Sequence, residues 1–575
     1  MHYSIIRKSI VLLYAISLFI ITILPNICSN NNLFSANAKE GLDVPTVIIN
    51  IDPFTEVYEG DIIDCEITGD PTTLFWQIND ESHHSTFFGD NPVIFDPEPT
   101  PLGDEFVDLT VYAENENGSG SDTVQIKLFR IFFGDIHWHT VFSDGDFKIN
   151  SMYKNAVEDN YLDFTACTDH GELLDGISTK FGGVREWDII RTFIEKVLGF
   201  SEWQMMKDKA IEYYNPGTFT TLLGFEWTAA QWSWGGKDWS PNGWEDVSHI
   251  NFYYRDVYPN ALEYADYQKF NYDDIFKAMS EEWDKGHLNI GFSHHPLGRA
   301  SRYNFTTNWT FMADKIINTN LRDKIHRGVE TFSRWGNSIG EFTPDVPWLW
   351  PYNLSQFTNQ TEAWVENACW EWSDDELKGQ KFVFIGGSDT HDYDRPGSAE
   401  FDVSYLGKPS GIAAVYAVHN IREEIWDALN DCYAYSSQLL KIRANVRLDG
   451  QLSYGRWINC SSPLKIRLSA HSTFPGNDTS GKRMWPHGYS PNELDYPITD
   501  IWLVKKDSDR GQPWCKVINH TQPNSNMVIE NFEDSNVKPN DFYWVAIKQK
   551  GQKLMPENGD EFISYVGPFF IDSVI

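Results

Sequence analysis

At 575 residues the chain is long enough for more than one domain and at least one large buried core. With 41% hydrophobic and 15% aromatic residues, its composition is that of a folded protein and excludes extensive disorder. A formal net charge of −36 argues against a nucleic-acid-binding or anionic-membrane surface, and its simplest reading is a solvated, self-repelling exterior.

The N-terminus has the pattern of a targeting segment. Arg7 and Lys8 precede a largely apolar run from Ile10 to Leu24, closed by Pro25, and Ala36-Asn37-Ala38 offers a small-residue cleavage site. The run falls short of the roughly 20 residues a membrane span needs. Residues 1–38 are therefore expected to be a cleaved signal peptide, with an uncleaved anchor that tethers the protein to a membrane as the alternative. Either places the protein outside the cell or at its surface. Asn-Xaa-Ser/Thr triplets at Asn117, Asn304, Asn308, Asn353, Asn359, Asn459, Asn477 and Asn519 are compatible with a glycoprotein. The cysteines beyond the signal are Cys65, Cys167, Cys369, Cys432, Cys460 and Cys515, with no Cys-Xaa-Xaa-Cys to suggest a thiolate zinc site. Cys460 and Cys515 are the first candidates for a disulfide, and Cys167 reads as a buried strand residue.

Residues 39–130 are strand-like. Val107, Leu109, Val111 and Ala113 alternate with outward residues, as do Val124, Ile126 and Leu128, and Glu114–Gly120 supplies the turn between them. Further strands at Thr46–Ile51, Ile62–Ile67 and Thr73–Ile78 make an Ig-like β-sandwich, with a spacer or adhesion role. From Phe132 the pattern changes. A strand at Phe132–His137, helical spacing of Met152, Tyr153, Ala156 and Val157, and a strand at Phe164–Thr168 form a β-α-β unit. Strands follow at Phe219–Phe225, Ile250–Tyr254, Ile290–Ser293, Gly328–Thr331, Phe382–Gly386 and Ile412–Tyr416, so residues 131–440 are expected to be an α/β barrel of parallel strands. Residues 441–575 lose the helical signal and read as a second β-rich domain, with strands around Leu464–Ala470, Ile501–Val504 and Phe542–Ile547.

Chemistry concentrates at the strand ends. Gly134-Asp135-Ile136-His137-Trp138-His139-Thr140 precedes Ser143-Asp144-Gly145, and residues two apart on a strand share a face, so His137 and His139 can ligate one ion while Asp144 returns a carboxylate nearby. A lone His-Xaa-His is weak evidence, because two exposed polar residues in a loop look the same. It does not stand alone: ligand-type residues also cluster in Thr168-Asp169-His170, Phe225-Glu226-Trp227, Ser248-His249-Ile250-Asn251, Ser293-His294-His295-Pro296 and Gly386-Gly387-Ser388-Asp389-Thr390-His391, each at or beside a predicted strand end. Satisfied structural polar residues account poorly for so many clusters together.

In this order the motifs resemble the PHP (polymerase and histidinol phosphatase) superfamily, and Gly224-Phe225-Glu226-Trp227-Thr228 with the Ser388-Asp389-Thr390-His391 stretch resembles a larger, exported branch of it. The resemblance covers about Phe132 to Leu440. It implies a distorted (β/α)7 barrel, flanked here by the two β domains, holding two to three divalent ions. Carried over residue by residue, it implies that His137, His139, Glu226 and Asp389 hold a first ion, that Glu226 bridges to a second completed by His249 and His295, and that Asp144, His170 and His391 hold a third. His294 competes with its neighbour His295 for that role, and Asp169 is expected to orient His170 from behind.

Mixed imidazole and carboxylate ligands suit zinc, manganese or iron. Two ions about 3.5–4 Å apart can bridge a water, lower its pKa and direct hydroxide at phosphorus. Catalytic roles fall on Asp389, His391 and Arg299; Arg299 and Arg334 are candidate phosphate clamps or ordinary salt-bridge partners. The aromatic insert Trp227–Trp244 either lines the pocket or packs. The expected activity is hydrolysis of a small-molecule or polymer phosphoester. Carboxylic ester or amide hydrolysis on the same ions is the first alternative, since metals do not determine the scissile bond. A non-catalytic cell-surface binding protein is the second.

Overall fold

In the computed structural model the described residues are 43–158, 162–171, 174, 201–228, 249–259, 272–294, 299–300, 303–304, 324–333, 336–337, 381–391, 396, 411–438, 441–472, 497–506, 516–550 and 561–575. The expected signal segment, Arg334, Cys369, Cys515 and nearly all of the aromatic insert lie outside them. No helix among the described residues is long and apolar enough to cross a membrane.

Counting strands of four residues or more, the N-terminal part contains β1 (Thr46–Ile49), β2 (Thr55–Tyr58), β3 (Cys65–Thr68), β4 (Thr73–Ile78), β5 (Val107–Asn115) and β6 (Gly118–Asp135). The sequence alternation is expressed here as predicted: Val107, Leu109, Val111 and Ala113 point into a core with Trp76, Ile78, Ile126 and Leu128. β5 pairs antiparallel with β4 and with β6, β2 runs parallel to β6, and β1 pairs antiparallel with β3. β6 does not stop with this sheet. Its first part pairs with β5, and its last residues, Arg130–Asp135, pair with strands of the central sheet.

The central sheet adds β7 (Phe164–Cys167), β8 (Thr220–Thr228), β9 (His249–Tyr254), β10 (Asn289–Ser293), β11 (His326–Ser333), β12 (Val383–Gly386), β13 (Gly411–Ala417) and β14 (Ala434–Gln438). Helices α1 (Ile149–Glu158), α2 (Glu202–Glu212), α3 (Tyr272–Asp284) and α4 (Arg422–Asn430) pack among them. In α1, Ile149, Met152, Tyr153 and Ala156 are buried, the one-sided pattern of an amphipathic helix. α2 starts at Ser201, whose side chain accepts the Gln204 backbone N–H. β7, β9, β10, β12 and β13 are buried at every residue, as strands covered on both faces must be.

The pairing order is β14-β13-β6-β7-β8-β9-β10-β11-β12. The parallel expectation is met for β6–β7, β7–β8, β10–β11 and β11–β12. It fails at β9, antiparallel to both neighbours, and at β13, antiparallel to β6, so the sheet is mixed. Periodicity marks where a strand lies and carries no information on its direction. Between β12 and β13 the described residues show no ladder, only the Gly411 N–H donating to the Gly387 carbonyl at 3.2 Å. The sheet curls until its ends approach there, short of a continuous barrel.

The C-terminal strands are β15 (Ile442–Leu448), β16 (Trp457–Cys460), β17 (Leu464–Ser472), β18 (Ile498–Lys506), β19 (Lys516–Thr521), β20 (Met527–Asp534), β21 (Phe542–Lys550) and β22 (Glu561–Val574). β15, β17 and β20 form one antiparallel sheet. β22 pairs with β14, so β22, β21, β18 and β19 extend the central sheet across residue 440, and a single apolar cluster contains Phe133, Ile385 and Val415 together with Leu448, Ile466 and Val545. Among the described residues Cys460, Cys65, Cys167 and Cys432 are buried free thiols, and Cys515, the expected partner of Cys460, lies outside them.

A buried charged clasp joins the three parts. Glu59, fully buried after β2, accepts the backbone N–H groups of Ile131 and Asp96 at 2.8 Å and the Arg443 guanidinium at 2.7 and 2.9 Å, and Arg443 also reaches Asp96 at 2.8 Å. Removing one partner of such a pair strands the other in low dielectric. Arg443→Ala is expected to cost about 3–5 kcal/mol, read as a lowered midpoint in urea-induced unfolding; an unchanged midpoint would show that Glu59 is compensated elsewhere.

Candidate metal centre

The centre is assembled where strand ends converge. Past β6 and β12 the chain continues as two short segments zipped together: the Asp389 N–H donates to the His137 carbonyl at 2.7 Å and the His139 N–H to the Thr390 carbonyl at 2.9 Å. Asp135, fully buried at the end of β6, accepts from the backbone N–H groups of His137 and Ser388 at 3.1 and 2.9 Å and from the Ser388 hydroxyl. Asp389 sits at φ 53°, a left-handed conformation that costs a non-glycine residue and persists where surrounding bonds impose it.

Opposite this pair, Glu226 near the end of β8 presents a carboxylate that is 1% exposed. Its Oε2 lies 3.3 Å from His137 Nε2 and 3.1 Å from His139 Nε2. Its Oε1 lies 3.2 Å from His170 Nδ1, 3.2 Å from His294 Nε2 and close against His249 Nδ1. Asp389 Oδ1 completes the first set, 3.3 Å from His137 Nε2 and 3.2 Å from His139 Nε2, while the two imidazole nitrogens are 3.4 Å apart. Burial opposes ionisation of Glu226 and Asp389; the facing imidazoles outweigh it and hold both carboxyls well below the usual carboxylate range.

The second and third sets adjoin the first. His170, Glu226 and His249 form one, and His139, Asp144, His170 and His391 form the other. Asp144 Oδ1 is 3.1 Å from His391 Nε2 and its Oδ2 is 3.6 Å from His170 Nε2. The Asp144 side chain is 47% exposed whereas His137 and Glu226 are sealed, so the third set is the edge that meets solvent.

Eight of the nine residues expected to bind metal are thus brought together: His137, His139, Asp144, His170, Glu226, His249, Asp389 and His391. His295 lies outside the described residues, and His294 is the neighbour found against Glu226. Arg299 falls in the short strand Arg299–Ala300, with its side chain outside the described residues. His249 opens β9 rather than closing it. It reaches the centre because β9 is reversed, which sets its first residue opposite Thr228 at the end of β8. The Asp169 carboxylate accepts from Thr140 N, Thr140 Oγ1, Ser143 Oγ and the Cys167 thiol, so it braces the loop between His139 and Asp144 against β7. Sequence reasoning passed over Glu330, 2.9 Å from His137 Nδ1, and the role of Asp135. The signal for Glu330 is an acidic residue inside a predicted strand, between Val329 and Thr331.

The residues fit divalent ions. A carboxylate only accepts, so the His137 Nδ1 facing Glu330 is the donor, and Nε2 of a neutral ring turns a lone pair toward Glu226, Asp389 and His139. His391 repeats this, with Nδ1 donating to the Asp389 carbonyl at 2.9 Å and Nε2 facing Asp144. With these rings neutral, acceptors converge on acceptors, an arrangement that a divalent ion between them would satisfy and that protons on the rings satisfy in its place.

Comparison with known proteins gives remote similarities. The profile of a family described as a protein of unknown function, DUF3604, matches residues 191–237. No curated protein matches the chain. Among solved structures, a two-domain protein containing a predicted PHP-like metal-dependent phosphoesterase, from Bacteroides vulgatus ATCC 8482, is 15% identical and covers 76% of this chain and 95% of its own, with a TM-score of 0.32. An amidohydrolase from Chromobacterium violaceum with bound sulfate and no metal is 13% identical and covers 52% of this chain and 95% of its own, with a TM-score of 0.22.

Burial by itself would depress the His137 pKa, but the carboxylates of Glu330 and Asp389, aided by hydrogen bonds with Glu226 and Glu330, hold it well above the usual histidine value. The metal-free ring therefore carries a proton at neutral pH that an incoming ion must displace, so affinity rises with pH and falls as pH drops. Zinc titration of the stripped protein in weak buffer with an indicator dye is expected to release at least one proton per first ion; uptake without release would contradict this charge state.

Proposed function

We propose that this chain is an exported metal-dependent hydrolase acting on phosphoesters, with a di- or trinuclear centre in a PHP-type barrel. One observation carries the reading. His137 Nε2, His139 Nε2, Glu226 Oε2 and Asp389 Oδ1 are spaced 3.1–3.4 Å apart in five of their six pairs. Ligands held about 2.0–2.1 Å from a tetrahedral zinc ion stand roughly 3.3 Å from one another. Glu226 turns its second oxygen to His170, His249 and His294, which suits a carboxylate shared between two ions.

Divalent ions held there would supply Lewis acidity toward a phosphoryl oxygen and acidify a water nucleophile. The chain's own residues do the rest. His137, His139, Glu226 and Asp389 fix the deep site and exclude bulk water from it. Asp144, His170 and His391 form the solvent edge, where a substrate would arrive, and Arg299 is proposed to clamp its phosphate. Asp389 and His391 are assigned the catalytic positions beside the reacting atoms, on the Ser-Asp-Xaa-His segment that spans the deep and exposed sets.

Export rests on the N-terminal charged and apolar run. The sequon asparagines Asn117, Asn459 and Asn519 are exposed, which is compatible with glycosylation. We further propose that residues 39–130 and 441–575 act as β domains around a 131–440 catalytic unit.

A panel of phosphomonoesters, phosphodiesters, carboxylic esters and amides, assayed with added Mn2+ or Zn2+, tests the reading. Turnover is expected on a phosphoester, abolished by chelation and restored by metal, and His137→Ala and Asp389→Ala should each reduce it to background. Turnover confined to carboxylic esters or amides would reassign the bond. A protein that takes up no transition metal would remove the hydrolase reading.

A further inference from the structure

We infer that Glu330 is a positioning residue of this centre: it holds His137 by Nδ1 and so fixes the face that Nε2 presents to the first ion. The inference rests on the metal-dependent reading above. Three independent features of the chain converge on this contact.

The first is the contact itself. Glu330 Oε1 lies 2.9 Å from His137 Nδ1, with both side chains buried, and Nε2 of the same ring lies 3.3 Å from Glu226 and Asp389. A ring gripped at one nitrogen has its tautomer and rotation set for the other. The second is a register shift. β11 pairs Glu330 with Ile385 and then Phe332 with Gly386, so Thr331 is an extra residue in the ladder. A bulge of this kind re-aims side chains, and it stands beside the residue whose carboxylate reaches the centre. The third is Gly387. A Cβ on Gly387 would fall 2.2 Å from Glu330 Oε1 and 2.6 Å from His137 Cβ. The absence of a side chain there leaves the space in which carboxylate and imidazole meet.

Glu330 also lies near His294, and with His137 the three could themselves surround an ion. The two roles make different demands on the side chain. A positioning carboxylate can be partly replaced by a neutral acceptor, whereas a ligand for a separate ion, once removed, takes that ion away and leaves the others as tightly held.

The test uses the full chain stripped of metal and titrated with Zn2+ against a chromophoric chelator, with thermal unfolding of each stripped protein as a check on folding. Glu330→Leu is expected to weaken the tightest zinc site by about 10–100-fold, the usual effect of losing such an outer partner. Glu330→Gln should recover part of that loss, and Gly387→Ala should weaken the same site by displacing the carboxylate. Should Glu330→Leu fail to fold, Glu330→Gln and Gly387→Ala carry the comparison. Zinc affinity equal to wild type in the folded variants overturns the assignment while leaving the centre intact. Loss of one whole ion in both Glu330 variants, with unchanged affinity for the rest, makes Glu330 a ligand and also overturns it. A wild-type chain that binds no Zn2+ overturns the centre and this inference together.

Discussion

Glu226 is the constraint around which the centre is organised. A carboxylate removed from water is tolerable only where positive charge and hydrogen bonds replace its hydration. This one is met on one oxygen by His137 and His139 and on the other by His170, His249 and His294. Those five imidazoles come from the segments that continue β6, β7 and β10 and from the start of β9. Each segment must deliver its ring at the same depth, which restricts how the sheet can be arranged.

That restriction makes sense of two features of the central sheet. Reversal of β9 brings the first residue of that strand, His249, to the end where its neighbours finish. The segments after β6 and β12 are joined by the buried Asp135 and by reciprocal backbone bonds, which hold Asp389 at a positive φ that few residue types other than glycine, asparagine and aspartate adopt. Strain of that kind, held by a network and located at a cluster of ligand-type side chains, is characteristic of sites whose geometry is imposed by the fold.

Much of this was legible in the chain. Spacing of two residues placed His137 with His139 and Asp389 with His391, because neighbouring strand-like residues of one parity share a face. The alternation around Val107–Ala113 and Leu464–Ala470 marked strands that are buried on one side. What stayed hidden depends on partners distant in sequence. Glu330 stands alone in its segment, and only the fold brings it to His137, 193 residues away. The direction of β9 leaves no periodic trace. The continuation of the central sheet from β14 into β22 joins residues too far apart for local pattern to report.

The continuity of β6 has a consequence for how this architecture can change. One uninterrupted strand pairs with both β5 and β2 in the N-terminal sheet and, a few residues later, serves as the rail that ends in Asp135 and leads to His137. Because side chains along a strand alternate, inserting or deleting a single residue in its upstream half would invert every face downstream unless a bulge absorbed it, as one absorbs Thr331 in β11. The N-terminal β-structure is therefore geared to the chemistry, like an index wheel whose smallest tooth is one amino acid. A loop can change length without this consequence, whereas a change in the length of this strand needs a compensating bulge to keep its register.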